Sequence, residues 1–445
     1  MRAWVAVMVA AIACGDGGPA PEEVVATSGS RLALSWYRFA DGTEQPEPSL
    51  LYDRALHTAC APTPWIDGVV RCVPIAAAAE FVDAACSTRL GVVTADAEPT
   101  HFLAYERIDG EAHPRAVLVA GAEVSPPTTI FRRIDGACVG PLGVDLAARY
   151  YEVGAELAAD ALLPVREETR DGGRLALVEQ VADDGLRAPI GLRDVALEVA
   201  CEPRPGAEDR VVCAPVDAVT AAHSSDPSCA SPAVVVDDEI VPRHARLVGA
   251  DGCDEFFAVA SPLATPMYQR VGDTCRAVAL APGARAFAVG APIDLPTLTR
   301  EVAVAPGRRL QPIVLDTDDH RLFDLRLHDR AIAGDCVRQT FADGVTRCIP
   351  ADVAPMQWRF TATCVVAVAV AEVPARSCRR PAFAVGTTER GLEVRAIGDA
   401  VTEPLYRWVD DQCRADPSTP GRVVHRLGPP IDPEAFSPAI LYGAR

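Results

Sequence analysis

The sequence predicts an all-β protein of three tandem repeats, each about 137 residues of short antiparallel strands. Three observations lead there: a spacing pattern that occurs three times, β-prone runs punctuated by Asp-Gly pairs, and cysteines that keep step with the repeat. The first copy opens at Arg31-Leu32 and runs Asp53, six residues, Cys60, eleven residues, Cys72, one residue, Pro74. The second opens at Arg174-Leu175 with Asp194, Cys201, Cys213 and Pro215; the third opens at Arg309-Leu310 with Asp329, Cys336, Cys348 and Pro350. Spacing from Asp to Pro is identical in all three. Further on, Cys86, Cys229 and Cys364 correspond, as do Cys138, Cys275 and Cys413, and each copy closes on a β-like stretch reaching Gly154, Gly290 or Gly428. The boundaries follow: repeats at 31–173, 174–308 and 309–445.

Within copy one, the runs RLALSWYRF, PSLLYDRAL, HFLAYERI, RAVLVAGAEV and TTIFRRI read as strands separated by turns. With Asn absent, Asp-Gly is the hairpin signal. Two Ala-rich stretches, Ala76 to Ala85 and Val144 to Leu163, set helix propensity against the strand reading, and the second is expected to be a short helix leading into copy two. The copies are expected to stack as propeller-like antiparallel blades. The alternative is three separate β-sandwich or barrel domains in tandem. A contact between copy one and copy three separates the two, because a ring requires it.

Composition bounds the function. Hydrophobic residues make up 49% and charged residues 23% of 445, the balance of a folded globular chain. All 42 basic residues are Arg, so Schiff-base and P-loop lysines are excluded, and without Asn so is an N-glycosylation sequon. A net charge of -19 argues against a nucleic-acid partner, which needs a positive groove or face.

Met1-Arg2 followed by the apolar Ala3 to Ala13 has the form of an export signal (1–13), too short to span a bilayer. It ends in Ala11-Ile12-Ala13-Cys14, similar to a lipobox, which makes Cys14 the expected lipidation site; a plain secretory signal cut after Ala-x-Ala is the other reading. Residues 14–30, rich in Gly, Pro, Glu and Ser, read as a flexible tether. The expected location is the cell envelope, with the membrane as partner through the lipid.

Fifteen cysteines in an exported chain point to disulfides, and removing Cys14 leaves an even number. Cys60–Cys72, Cys201–Cys213 and Cys336–Cys348 each flank a turn-prone segment and are expected to pair. Cys229 with Cys253 and Cys364 with Cys378 are expected as second bridges, with Cys86 left to find Cys138. Cys275 and Cys413 then pair with each other or stay buried. No Cys-x-x-Cys or His-x3-His spacing supports zinc.

Nothing local carries catalysis: there is no His-Glu-x-x-His, no Gly-x-Ser-x-Gly and no phosphate loop before a helix. Asp316-Thr317-Asp318-Asp319-His320 resembles the start of a calcium loop but lacks its glycine and bidentate Glu, and it aligns with the hairpin tips Asp41-Gly42 and Asp184-Gly185. Asp53, Asp194 and Asp329 are the metal candidates: related by a pseudo-threefold in a ring, three carboxylates could hold a hard cation such as Ca²⁺. The competing reading gives each Asp a local turn in its own module. No cofactor is expected.

The run Ser28-Gly29-Ser30-Arg31-Leu32, Asp53, Cys60, Asp67-Gly68, Arg71-Cys72-Val73-Pro74 and Phe81-Val82-Asp83-Ala84-Ala85-Cys86 resembles a family of uncharacterised cysteine-containing lipoproteins of myxobacteria. Copies two and three depart from it, with Asp226-Pro227-Ser228-Cys229 and Thr361-Ala362-Thr363-Cys364 in place of Asp-Ala-Ala-Cys. The resemblance implies location and lipidation, and no activity. The function expected is a non-catalytic envelope module binding a protein or glycan; the alternative is an exported hydrolase of polysaccharide or peptidoglycan.

Overall fold

The computed structural model describes residues 22–443 apart from 94–97, 109–110, 135–136, 207–209, 238–240, 250–252, 265, 272–273, 375–380, 390, 410–411 and 417–421. The signal segment, Cys14 and Cys378 lie outside the described residues. Among these, every regular element is a strand or a short 3-10 turn.

Each copy begins with a four-strand antiparallel meander. In copy one the strands are Leu32–Phe39, Glu44–Asp53, Thr58–Pro64 and Val70–Pro74. Copy two matches them with Leu175–Val181, Arg187–Asp194, Val199–Pro205 and Val211–Pro215. Copy three has Leu310–Asp316, His320–Asp329, Gly334–Thr340 and Thr346–Pro350. A connecting strand joins each meander to the next: Arg166–Arg170, Thr297–Val302 and Pro438–Gly443. The last pairs with copy three on one edge and with copy one on the other. Copies one and two meet through the Arg71–Pro164 bridge, with Cys72 N–H donating to Leu163 O and Val165 N–H to Val70 O, both at 3.0 Å. The meanders therefore form one closed ring, with the copy one to copy three contact that a ring requires.

Hydrogen bonding runs on from copy to copy, so the ring is not divided into blades. The first hairpin of every copy bends at a register shift, between Leu34 and Ser35, Val178 and Glu179, or Pro312 and Val314. A bulge turns a strand and increases its twist. Below the bend the hairpin packs in its own core; above it, the tip enters a neighbour's. Leu32, Leu34, Leu51, Cys60 and Cys72 of copy one are completed by Ala182, Leu186 and Ala188 of copy two. Copy three's Leu310, Leu327, Cys336 and Cys348 take Phe39 of copy one, and copy two's Leu177, Leu192, Cys201 and Cys213 take Ile313 and Leu315 of copy three.

The turns behave as Asp-Gly predicts, in a three-residue form. Gly42 N–H donates to Phe39 O and Phe39 N–H to Thr43 O, and the pattern recurs around Gly68, Gly185 and Gly344, all with φ between 76° and 97°. This is a type I turn closed by a bulge whose glycine must be left-handed. The Asp316–His320 segment is also a hairpin tip, with Thr317 N–H donating to His320 O at 2.8 Å.

After its meander each copy builds a satellite. In copy one, Ala77–Phe81, Arg89–Val93, Arg149–Leu157, Glu111–Val124 and His101–Ile108 close into a five-strand barrel through the parallel pair Ala77–Phe102. The hairpin Ile130–Ile134 and Ala137–Leu142 hangs from it at Phe81–Phe131. Copy three repeats this, closing at Val353–Phe383. In copy two the matching strand is split into Val219–Thr220 and His223–Ser224, leaving a half-barrel. The chain thus joins a ring of repeats to the small barrels of the alternative reading.

The helix expected over Val144 to Leu163 is not formed. Its place is taken by the strand Arg149–Leu157 and a 3-10 turn at Ala159–Ala161. Tyr150 and Tyr151 are buried there and pair with strands on both sides, so barrel closure overrides alanine's local preference. Triplication shows in the backbone too: His57, Glu198 and Ala333 share φ of 50–54°, and Cys86, Cys229 and Cys364 share 49–56°. Non-glycine residues rarely adopt this conformation, and here they do so at matched positions.

Because Phe39 fills a core belonging to copy three, Phe39→Ala should cost about 3–5 kcal/mol. Urea unfolding measures it, and hydrogen exchange should show copy three losing protection first.

Candidate functional site

The cysteines come first because they frame everything else. Cys60–Cys72, Cys201–Cys213 and Cys336–Cys348 are bonded across the second hairpin of each meander, with Cα–Cα distances of 5.2–5.3 Å. Cys86–Cys138 is bonded as expected. The pairings Cys229–Cys253 and Cys364–Cys378 are overturned: Cys229 bonds Cys275 and Cys364 bonds Cys413. The hanging hairpin of each satellite folds back over the loop that carries the first cysteine, so a residue 46 or 49 positions away is the nearer in space. Cys253 is also disulfide-bonded. Six bonds between described cysteines, besides that of Cys253, suit an oxidising compartment outside the cytoplasm.

The three candidate aspartates are fully buried and already engaged. The Arg31 Nε and Nη2 meet Asp53 at 2.9 and 2.6 Å, and Arg309 meets Asp329 at 2.8 and 2.7 Å. Arg174 holds Asp194 more loosely, at 3.2 Å, and divides itself with Asp294 at 3.0 Å. The same carboxylates cap the following turn: Asp53 accepts from Ala55 and Leu56, Asp194 from Ala196 and Leu197, Asp329 from Ala331. Each arginine also donates to a backbone carbonyl late in its copy, Ala161, Asp294 or Ala435. The trio is thus three separate latches between the start and the end of a repeat. Among the described residues no group of three or more His, Cys, Asp or Glu is placed to hold a metal ion. The geometry corrects the cation reading, since the carboxylate oxygens are occupied by guanidinium and amide donors.

Two docking residues were missed in the sequence, where Asp41 and Asp184 read only as turn formers. Asp41 caps Thr43 and accepts from Leu310 N–H of copy three at 2.7 Å. Burial pulls the Asp41 pKa upward, but the Leu310 and Thr43 amides outweigh it and leave it lowered. Asp184 caps Leu186 and accepts from Leu32 N–H at 2.6 Å and Arg31 N–H at 2.9 Å. At the third junction His320 fills the space instead, pressed so closely on Gly172 that a Cβ there would lie 2.3 Å from its Nε2.

Two clefts among the described residues bear on the site. One, about 400 Å³, lies at that third junction beside Arg174, Leu175, Asp294 and Asp318. The other, about 510 Å³, lies in the third satellite beside Asp399, Glu403 and Arg426. Arg174 and Arg426 are both paired with carboxylates, Asp294 and Glu403.

The loop carrying the first satellite cysteine is polar in copies one and two. Asp83 accepts from the Thr88 amide at 2.6 Å and the Ser87 amide at 3.1 Å, and its pKa is lowered to about 2, chiefly by the Thr88 bond. Asp226 does the same for Ser228, Ala230 and Ser231, and its carboxyl is likewise lowered. Arg133 and Arg270, on the hanging hairpins, donate to the carbonyls of Cys86 and Cys229.

The fold and these contacts define a disulfide-braced all-β repeat protein whose most deeply buried ionic groups serve its own scaffold. The chain belongs to a family of unknown function, DUF7481, whose profile matches residues 7–436 and so spans all three copies. No curated protein and no solved structure matches it.

Removing the carboxylate should be costly where the arginine has no substitute. Asp329→Ala should destabilise by about 3 kcal/mol, and Asp194→Ala by clearly less because Arg174 keeps Asp294. Chemical denaturation of both variants checks the order.

A lowered aspartate pKa contributes stability that is full above the unfolded value and lost as pH falls through the folded one. Wild type should therefore lose more stability than Asp83→Asn as pH drops from about 4 toward 2, read from urea midpoints.

Proposed function

We propose that the protein is a non-catalytic lipoprotein of the cell envelope, anchored through Cys14 and presenting its satellites to a protein or glycan partner. The observation that carries this reading is the use of the charged residues. The Asp–Arg pairs repeated in every copy are latches, and the arginines lining both clefts are bonded to carboxylates. A scaffold stapled at three matched places, repeating one outward module, is suited to multivalent recognition, in which linked weak sites add up to strong retention. The apolar segment before Cys14 and the disulfides support location outside the cytoplasm. The expected 14–30 tether is corrected over 22–30, where Glu22–Glu23 pairs with His320–Arg321, Val24 is buried in a core and Thr27 bridges Arg187; residues 14–21 lie outside the described residues. A glycoside hydrolase would instead need two carboxylates facing one another across a cleft, about 5–10 Å apart.

Cys14→Ser should shift the protein from the membrane fraction to the soluble extract, and metabolic labelling with a fatty acid should fail on the variant. Labelling that persists without Cys14 would overturn the anchor. For the binding role, immobilised delipidated protein is challenged with solubilised envelope proteins and with purified polysaccharides. Selective retention without turnover is expected; release of shortened sugars would make it the hydrolase.

A further inference from the structure

The three satellites are built on one plan, so a position where copy three departs from both others is an internal control. The exposed corner around the first satellite cysteine is such a place. In copy one the cysteine is followed by Ser87-Thr88 and in copy two by Ala230-Ser231; in copy three it is followed by Val365-Val366. The loop of copy three is a residue shorter and has Thr361 where the capping Asp83 and Asp226 stand. On the hanging hairpin, Arg133 pairs with Cys138 and Arg270 with Cys275, and the matched partner of Cys413 is Trp408. Two residues before the strand position that meets this hairpin, copies one and two have Ala79 and Ala222; copy three has Trp358.

These changes converge. Trp358 and Trp408 each stand two residues from the antiparallel Phe360–Tyr406 bridge, on the same side of it, and Trp408 pairs with Cys413 of the Cys364–Cys413 bond. Both indoles are about half exposed, at 49% and 54%, and Val365 and Val366 beside the Cys364–Cys413 bond are exposed at 79% and 56%. The fold does not require them, since two copies close the same corner with small or polar residues. Keeping four large apolar groups in water at one corner needs another cause.

We infer that this corner is a binding site for an uncharged polysaccharide, in which the Trp358 and Trp408 indoles form the stacking platform. The inference rests on the binding reading above and gives it a place and a ligand class. Four partly exposed side chains make a patch well short of the ~800 Å² per partner that a stable protein interface buries. A second copy and an anionic membrane are both opposed by the net charge of -19. The cation against the Trp358 ring is compensated: Arg395 lies 5.6 Å from it and is paired with Glu393 at 2.8 Å. Hydrogen-bonding groups without net charge beside two indole faces suit the C–H face and hydroxyls of a pyranose ring. The partly positive C–H groups meet the electron-rich ring, while the hydroxyls bond at its rim.

The test uses the full-length protein and a variant carrying copy one's residues, Trp358→Ala, Trp408→Arg, Val365→Ser and Val366→Thr. Both are assayed for retention on insoluble β-linked glucan, chitin and peptidoglycan, and for quenching of tryptophan fluorescence by the matching soluble oligosaccharides. Thermal unfolding checks that the variant is folded, and Trp408→Phe is the conservative control should it not be. Wild type is expected to bind at least one polysaccharide, the variant at least tenfold more weakly, and Trp408→Phe in between. Equal binding by the variant would place recognition elsewhere, overturning this site and leaving the binding role standing. Loss in the variant of an envelope-protein partner, of self-association or of vesicle binding, without any sugar bound by wild type, would overturn the polysaccharide assignment. If wild type retains nothing at all, both readings fail.

Discussion

No copy in this protein can finish its own core. The first hairpin of each meander is too long to lie over the four strands it belongs to, and at the bulge it crosses into the next repeat. The side chains past the bend, Phe39, Ala182 with Leu186, and Ile313 with Leu315, are apolar because they line a neighbour's interior. Copy one completes three, three completes two, and two completes one. Such a cycle closes only with all three members present, which makes the ring a single cooperative object although its sequence is modular.

The other conspicuous residues follow from that constraint. A hairpin tip entering another module must satisfy the backbone donors it meets, and Asp41 and Asp184 do so by accepting the first amides of the neighbouring repeat. The Arg–Asp latch fixes the opposite end, tying the start of each meander to the segment that leaves for the next copy. A disulfide sits in each shared core between strands that would otherwise rely on a few leucines. A closed loop of thirteen residues stabilises by about 3 kcal/mol through the unfolded chain, which matters where each core is small.

Most of the ring was legible. The Asp-to-Pro spacing located the meanders, the run at Leu32–Phe39 was a strand as read, as was His101–Ile108 in the satellite, and the within-hairpin disulfides followed from the turns they flank. The outer disulfides were misread because short separation was preferred, although copy one, which has only Cys86 and Cys138 for the second bond, already showed the longer pattern that Cys229–Cys275 and Cys364–Cys413 obey. Tyr150 and Tyr151 could have warned against the helix, since adjacent buried aromatics pairing to both sides belong to a strand. The docking roles of Asp41 and Asp184 were not readable in one chain, because the amides they meet are more than 150 residues away.

Division of labour between ring and satellites explains where change was tolerated. A ring residue faces its own module and a neighbour's, so a substitution there must suit two cores at once. A satellite packs on itself and on its own meander, through clusters such as Trp65 and Val73 with Leu103 and Val117, and its disulfide ties its own hairpin to its own loop, so its exposed corner is free to vary. Copy two has used that freedom in the backbone, splitting a strand and leaving its barrel half open; copy three has used it in side chains, replacing arginine and small residues by tryptophan and valine while keeping the closed barrel. Since the meanders stayed alike and the departures lie in the satellites, divergence of the copies is concentrated outside the shared cores of the ring.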